Sequence, residues 1–367
     1  MGKYKVCVYA ICKNEEKFAK KWYESMSEAD YVCVLDTGSN DNTVDILREL
    51  GARVESRVIS PWRFDVARNL SMELIPDDTD ICVCTDLDEV FNVGWREILE
   101  EKWETNACRV LYNYNWSLDE DSRPIINFYL NNIHKRDDYV WIHPVHEVLT
   151  YMGDDEVVIT VPEICLNHYP DREKSRGSYL PLLEMSVEED PLDDRNMHYL
   201  GREYMYYGKW NECIDTLIKH LNLKSSTWKD ERCASMRFIA RSYKNLGRVE
   251  ESRMWYDKAI NEAPYLRDSY VERGVLEYEL DNYKEASKYL NDALNINSHE
   301  KTYINEIFSW DNTIYDMLSI CMFYLNRIDE SLFYINKAID MEPNNERLIN
   351  NKKIIKRYKE NNNSIRY

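Results

Sequence analysis

No run of about 20 apolar residues occurs in this chain of 367, so none of its helices is expected to span a bilayer. No leader is expected either. The start, MGKYKVCVYAICKNEE, is an apolar stretch of strand length followed at once by charge. Met1-Gly2 does not continue into a myristoylation signal, because position 6 is Val6. Basic residues are in deficit: 47 Lys+Arg stand against 66 Asp+Glu, a net charge of −19. A surface this acidic repels phosphate backbones and anionic lipid, which excludes a general nucleic-acid or membrane-surface role. A local basic pocket for a phosphorylated small molecule stays open. No glycine-rich phosphate loop follows the first apolar run, where Cys12-Lys13-Asn14-Glu15 stands instead, and this argues against a nucleotidyltransferase. The ten cysteines are scattered, and Cys82-x-Cys84 has no second pair to complete a zinc site. Cys7, Cys33, Cys82, Cys84, Cys108 and Cys165 lie in apolar runs, where a thiol acts as a small hydrophobe. The expectation is a reduced, soluble, cytoplasmic protein.

What remains is ordinary globular composition, 44% hydrophobic and 31% charged, with aromatics high at 13%. The length suits two or three domains, each able to bury a core. Residues 1 to about 170 alternate strand and helix signals. Strands are expected at 4–11, 31–35, 53–58 and 80–85. Helices are expected at 15–26, 43–50 and 64–75. Strands separated by helix-length segments imply right-handed βαβ units and a parallel sheet, whose ligand sits at the carboxyl ends of the strands. The polar clusters fall there: Lys13 to Glu16, Asp36 to Thr43, and Asp86-Leu87-Asp88-Glu89.

From about residue 190 the period is helical throughout. LGRVEESRMWYDKAINEAP (246–264), LDNYKEASKYLNDALNIN (280–297) and LNRIDESLFYINKAIDMEP (325–343) repeat in phase, and YGKWNECIDTLIKHL (207–221) is a looser copy. The small residue of each copy advances by 34 from Ala259 to Ala293, then by 45 to Ala338. The second step is 34 plus an 11-residue insertion around 298–312. A 34-residue helix-turn-helix period is the tetratricopeptide signature, since one helix pair cannot bury its apolar face alone. The expected division is an α/β domain over 1–185, all-α repeats over 190–350 and a polar tail over 351–367 that frays.

Asp86-x-Asp88 directly follows an apolar strand. Carboxylates on alternate residues at a strand end can converge on a divalent cation that favours oxygen ligands, Mg²⁺ or Mn²⁺. A lone D-x-D is also a common solvated acidic turn. Here it shares an edge of the sheet with Asp36, which ends the second strand.

Taken together, these motifs resemble the family-2 glycosyltransferases of the GT-A fold. Lys13-Asn14-Glu15-Glu16 looks like their K-N-E-E loop, and Asp36 to Thr43 like their D-[ST]-G-S-x-D-x-T. Trp62 to Asn69 is similar to their W-x-x-[DN]-x-[AS]-x-A-R-N segment in shortened form, and Asp86 to Glu89 to their D-x-D-E. Trp141-Ile142-His143-Pro144-Val145-His146-Glu147 resembles the W-x-x-x-V-H-E of a subgroup with lipopolysaccharide-core glucosyltransferases and bacteriocin-peptide glycosyltransferases, some with tetratricopeptide tails. That subgroup has R-L-F shortly before this motif. Here Asn132-Ile133-His134 stands instead, and Lys135 or Arg136 is left to supply the missing cation.

The resemblance implies an inverting, metal-dependent transfer from a UDP-sugar. Asp88 is implied as first ligand of Mn²⁺ or Mg²⁺, with Asp86 bridging metal, water and ribose. His168 falls where a third ligand is often placed, or is a surface loop histidine. Asp36 would accept from the uracil imide, or only close its turn. Arg68 would meet the base or the diphosphate, or is an exposed helical arginine. Ala10 and Glu15 complete the implied nucleotide-sugar site. Glu147 is favoured as general base with His146 orienting the acceptor, the reverse roles remaining open. A peptide or protein acceptor held partly by the repeats is expected, with a glycan or lipid-linked sugar as the alternative. A homo-oligomer is allowed. The competing class is a tetratricopeptide interaction protein with a non-catalytic sheet domain.

Overall fold

The computed structural model describes residues 2–118, 123–171, 177, 179–298 and 302–364. The chain divides into two compact units, the first built mainly of 1–189 and the second of 190–300 and 304–367. In the first unit, β1 (Val6–Cys12), α1 (Glu16–Met26), β2 (Tyr31–Asp36), α2 (Thr43–Leu50), β3 (Arg53–Ser56), α3 (Phe64–Met72) and β4 (Ile81–Cys84) alternate as the periodicity predicts. There follow β5 (Glu89–Phe91), α4 (Trp95–Lys102), β6 (Arg109–Leu118), β7 (Pro124–Lys135), β8 (Tyr139–Ile142), β9 (Val148–Tyr151), β10 (Val158–His168) and α5 (Tyr179–Glu189).

Eight strands form one sheet in the order β3-β2-β1-β4-β7-β6-β10-β5, while β8 and β9 form a separate antiparallel pair. The sheet is mostly parallel, as expected for a GT-A fold: β1 runs parallel to β2 and β4, β2 to β3, and β10 to β6. The strands after Asp88 depart from the βαβ pattern, since β7 runs antiparallel to both β4 and β6, and β5 to β10. One core packs on each face. Val6, Val8, Ala10, Trp22 and Leu47 belong to one, and Cys7, Tyr9, Cys33, Ala67 and Trp141 to the other. Strands buried on both faces read as continuous apolar runs, which is why YKVCVYAI and DICVCT are legible as strands. The cysteines are all free, and all but Cys165 are buried.

Among the described residues, the second unit is helical apart from its turns. It comprises α6 (Asp194–Tyr206), α7 (Trp210–Asn222), α8 (Lys229–Asn245), α9 (Val249–Glu262), α10 (Arg267–Glu279), α11 (Tyr283–Leu294), α12 (Thr313–Tyr324), α13 (Ile328–Met341) and α14 (Glu346–Ser364). The recurrent small residues Ala259, Ala293 and Ala338 are all fully buried. Gly201 and Gly274 play the same part on α6 and α10. A Cβ on Gly201 would sit 2.3 Å from Leu217 Cδ2, and one on Gly274 2.9 Å from Leu290 Cγ. The tail expected to fray is helical to Ser364, because Leu348 and Ile355 of α14 pack on Ile335 and Ala338 of α13. Residues 365–367 lie outside the described residues.

The insertion between α11 and α12, of which 299–301 lie outside the described residues, returns to the repeats. Arg237 is 2% exposed, and its Nη2 donates to Ile304 O at 2.9 Å. Its Nη1 donates to Glu272 Oε1 at 2.7 Å, and Arg241 grips the same carboxylate through Nε and Nη2. Asp268 accepts from Glu306 N at 2.8 Å and Ser309 Oγ at 3.0 Å.

Two buried histidines set a pH limit on the fold. Burial pushes His134 down to about 3, and burial does the same to His198. The unfolded chain binds these protons near 6.5. Between about pH 6.5 and 3 it therefore holds more protons than the folded chain, and stability falls as pH falls, by up to about 1.4 kcal/mol per pH unit for each histidine. Urea titrations at pH 7.5 and 5.0 are expected to show the lower midpoint at pH 5.0. Glu89, pushed up to about 8, works the opposite way over this window, so the histidines are read by difference: a fall in midpoint no smaller in His198→Gln than in the wild type would contradict the buried, neutral histidine.

Candidate active site

Parallel pairing brings the carboxyl ends of β1, β2 and β4 to one edge, and there the first two motif loops lock together. Asn14 N donates to Ser39 Oγ at 2.8 Å, Asn40 N to Asn14 Oδ1 at 2.8 Å and Glu15 N to Thr43 Oγ1 at 2.7 Å. Asp41 accepts from Thr43 N and from Glu16 N, so one carboxylate serves the first turns of both α2 and α1. Glu15 is 6% exposed between these loops. Asp36 is 3% exposed and accepts from Ser39 N at 2.9 Å and Gly38 N at 3.3 Å. It therefore closes its own turn, and Gly38 allows this by adopting φ +111°. A carboxylate offers about four acceptor positions, so capacity for a further donor remains.

Ala10, expected to complete the nucleotide-sugar site, lies inside β1. It is wholly buried within the central strand, its side chain in the core and its register partner Val34 beside it. A residue enclosed on both faces of a parallel sheet presents no side-chain surface to a nucleotide.

The D-x-D loop is fastened at every residue around it. Trp22 Nε1 donates to Thr85 Oγ1 at 3.0 Å, Asp86 N to Glu89 Oε2 at 2.8 Å, and Tyr169 N to Asp88 O at 2.7 Å. Tyr114 Oη donates to Glu89 Oε1 at 2.6 Å. Burial, and then the charge of Asp86, push the Glu89 carboxyl up to about 8.

Arg68 is buried rather than exposed. Its Nη2 donates to Asp86 Oδ1 at 2.7 Å, its Nε to Glu147 Oε1 at 3.0 Å, and its Nη1 to Cys84 Sγ at 3.4 Å. Burial is the largest single influence and opposes its charge, but Asp86, Cys84 and Glu147 together outweigh it and hold the guanidinium protonated. One cation thus ties the D-x-D motif to the V-H-E motif. The next residue ties the motifs a second time: Asn69 Nδ2 donates to Trp141 O at 2.8 Å, and Trp141 N donates to Asn69 Oδ1 at 2.9 Å. Trp141 Nε1 then donates to Tyr9 Oη, which donates to His134 Nε2 at 2.9 Å, because His134 Nδ1 is committed to Lys135 O. His146 adopts φ 51° and lies edge-on to Tyr179 at 5.7 Å, so the backbone turns sharply just before Glu147.

Lys135 and Arg136 do not supply the cation. They sit at the opposite end of β4, where Lys135 pairs with Ile81, bonds Asp138 and carries Tyr151, while Arg136 holds Pro76 O, Ile75 O and Asp77. Antiparallel β7 carries them away from the D-x-D edge, a reversal that the local residue pattern does not reveal.

His168 ends β10 beside Asp88. Its Nε2 lies 3.4 Å from Asp88 Oδ2, and its Nδ1 donates to Trp116 O at 3.0 Å. Burial is the largest single influence and lowers its proton affinity, but Asp88, the bond to Trp116 O and Glu89 together outweigh it and the net direction is upward. The pair fits a divalent cation. Bonds of about 2.1 Å place adjacent ligand atoms roughly 3.0–3.5 Å apart, and a carbonyl on the far nitrogen is the usual way to aim such an imidazole. Asp86 is half-exposed and turned to Arg68 instead. Among the described residues, the trio whose ligand atoms already lie mutually within 4.8 Å is His198, His220 and Glu231, in the repeats, where Ser235 Oγ bonds both rings.

Removing the Arg68 charge while keeping its bulk, as in Arg68→Met, leaves Glu147 and Asp86 without their cation. A loss of about 3 kcal/mol is expected, at the low end for a broken buried pair because Asp86 is half-exposed. Urea unfolding followed by near-UV circular dichroism measures it. An unchanged midpoint would show that Arg68 does not hold the two motifs together.

Comparison with known proteins agrees with this architecture. Residues 7–158 match the profile Glycosyl transferase family 2, and residues 238–265 and 268–300 match the profile Tetratricopeptide repeat. An uncharacterized glycosyltransferase of Rickettsia typhi is 23% identical over 258 residues, covering 70% of this chain and 76% of that one. Among solved structures, MamA is similar with a TM-score of 0.38 at 15% identity, over 49% of this chain and 99% of that one. A thermophilic tetratricopeptide protein of Thermus thermophilus is similar with a TM-score of 0.34 at 18% identity, over 49% of this chain and 89% of that one. The chain carries a glycosyl transferase family 2 domain followed by C-terminal tetratricopeptide repeats, and that domain supports a glycosyltransferase. Among the described residues no helix is long and apolar enough to cross a membrane.

Proposed function

We propose that the chain is an inverting, metal-dependent glycosyltransferase that moves a sugar from a UDP-sugar to a peptide or protein acceptor. The observation that carries this reading is the buried Arg68, which joins Asp86 and Glu147 beside the Asp88–His168 pair. Asp88 and His168 would hold Mn²⁺ or Mg²⁺, and Asp86 would reach the same group from Arg68. Such a cation, when bound, offsets the charge that builds on a departing diphosphate. Asp36 would accept from the uracil imide with the acceptor capacity its turn leaves over. Arg68 keeps Glu147 in place. Inversion takes one displacement at the anomeric carbon, so the acceptor must lose its proton as it attacks. Glu147 would take this proton, one oxygen being held by Arg68 and the other able to accept. His146, on the tight turn before it, would orient the acceptor.

The test is release of UDP from UDP-glucose or UDP-N-acetylglucosamine with Mn²⁺, even by slow hydrolysis to water. Absence of UDP binding by calorimetry would favour a non-catalytic interaction protein. The repeats support the peptide acceptor. A truncation ending at Asp190 is expected to keep UDP-sugar hydrolysis and lose acceptor glycosylation. Full transfer by the truncation would remove the repeats from acceptor recognition.

A further inference from the structure

Along β6, Tyr112, Tyr114 and Trp116 alternate onto one face of the sheet. Tyr112 and Tyr114 are buried, but Trp116 is 48% exposed, although a tryptophan brings one of the largest apolar surfaces of any side chain. Its indole does not lie loose. It stacks on the His168 imidazole with ring centroids 4.6 Å apart and planes at 26°. Its own carbonyl receives the His168 Nδ1 proton. One indole face is therefore spent on the ring whose far nitrogen points to Asp88, and the side chain still leaves about half its surface bare at the same spot.

On the reading given above, the pair Asp88–His168 is where a diphosphate is gathered. In a nucleoside diphosphate sugar the hexose is joined directly to the second phosphate, so it lies immediately beyond that pair. A pyranose carries an apolar face of axial C–H groups, which packs on an aromatic plane without giving up its hydroxyl hydrogen bonds. A bare indole anchored next to the phosphate position suits that face. We propose that Trp116 is the platform for the hexose of the donor, a specificity residue that recognises the sugar and not the nucleotide.

The inference rests on the UDP-sugar reading, and calorimetry on the full chain with Mn²⁺ separates the two. UDP is measured beside UDP-glucose, UDP-galactose and UDP-N-acetylglucosamine. The wild-type protein is expected to bind one of these UDP-sugars more tightly than UDP. Trp116→Ala should erase that advantage, weakening the sugar nucleotide by about tenfold while UDP changes less than about twofold. Trp116→Phe, which keeps an aromatic ring over His168, should restore most of it. Three results overturn the proposal: no UDP-sugar exceeds UDP in the wild type, Trp116→Ala changes nothing, or it weakens UDP and UDP-sugar alike. The last would show that the indole only props His168. If the wild type binds no uridine nucleotide at all, the UDP-sugar reading itself fails, and the platform with it.

Discussion

Asp88→Ala is expected to abolish sugar transfer and, with it, the metal dependence of UDP binding. Asp88 is the carboxylate of the loop that already faces an imidazole, at 3.4 Å from His168 Nε2, and its backbone oxygen is pinned by Tyr169 N. The side chain can be shortened without loosening the loop, because that backbone bond and the Glu89–Asp86 N bond remain. The loss is therefore chemical. One anionic ligand taken from a diphosphate-bound cation removes several kcal/mol of charge stabilisation, a rate loss on the order of a hundredfold at the least. Asp86→Ala should cost as much or slightly less, since it also frees Arg68. Single-turnover transfer and UDP titrations with and without Mn²⁺ measure both. Unchanged turnover in Asp88→Ala would remove the central claim.

Glu147→Gln is expected to lower kcat by roughly 10²–10⁴-fold with little change in UDP-sugar affinity. The amide keeps the size of the carboxylate, and its oxygen still accepts from Arg68 Nε, so the link between the two motifs survives. Only proton acceptance is lost. A drop in affinity of the same size as the drop in kcat would mean that Glu147 binds the donor instead. If His146 is the base, His146→Asn shows the large kcat effect and Glu147→Gln is the milder change.

The pairing of motifs explains how much of the site could be read beforehand. The first two loops and the D-x-D follow parallel strands, so a βαβ pattern alone carries Glu15, Asp36, Asp86 and Asp88 to one edge. Arg68 and Glu147 are 79 residues apart, and nothing local announces their bond. It depends on Asn69 and Phe64 N meeting Trp141 and Pro144 O, a contact between separate segments. The antiparallel strands after Asp88 are the least legible part. Tyr112, Tyr114 and Trp116 alternate plainly, yet alternation does not say which neighbour a strand will take. For that reason Lys135, expected at the phosphates, lies at the far end of the sheet, while the partnership of Trp116 with His168 gives no sign in the sequence. The histidine itself is legible, as either a ligand or a loop residue, and its position beside Asp88 supports the former.

The repeats are legible as a period, but the 11 extra residues before α12 change what that period means. In a regular array each helix pair answers only to its neighbours, and units can be gained or lost in evolution with little penalty. Here Arg237 on α8 and Asp268 on α10 obtain hydrogen bonds from Ile304, Glu306 and Ser309, beyond the end of α11. Deleting the pair α10–α11 would strand Arg237 without Glu272, and a chain stopped after Leu294 would leave both Arg237 and Asp268 short of partners in a buried setting. From α8 to Ser309 the tail is consequently a single indivisible block. Lineages of this protein are expected to vary in repeat number outside that block and to keep its length fixed within it.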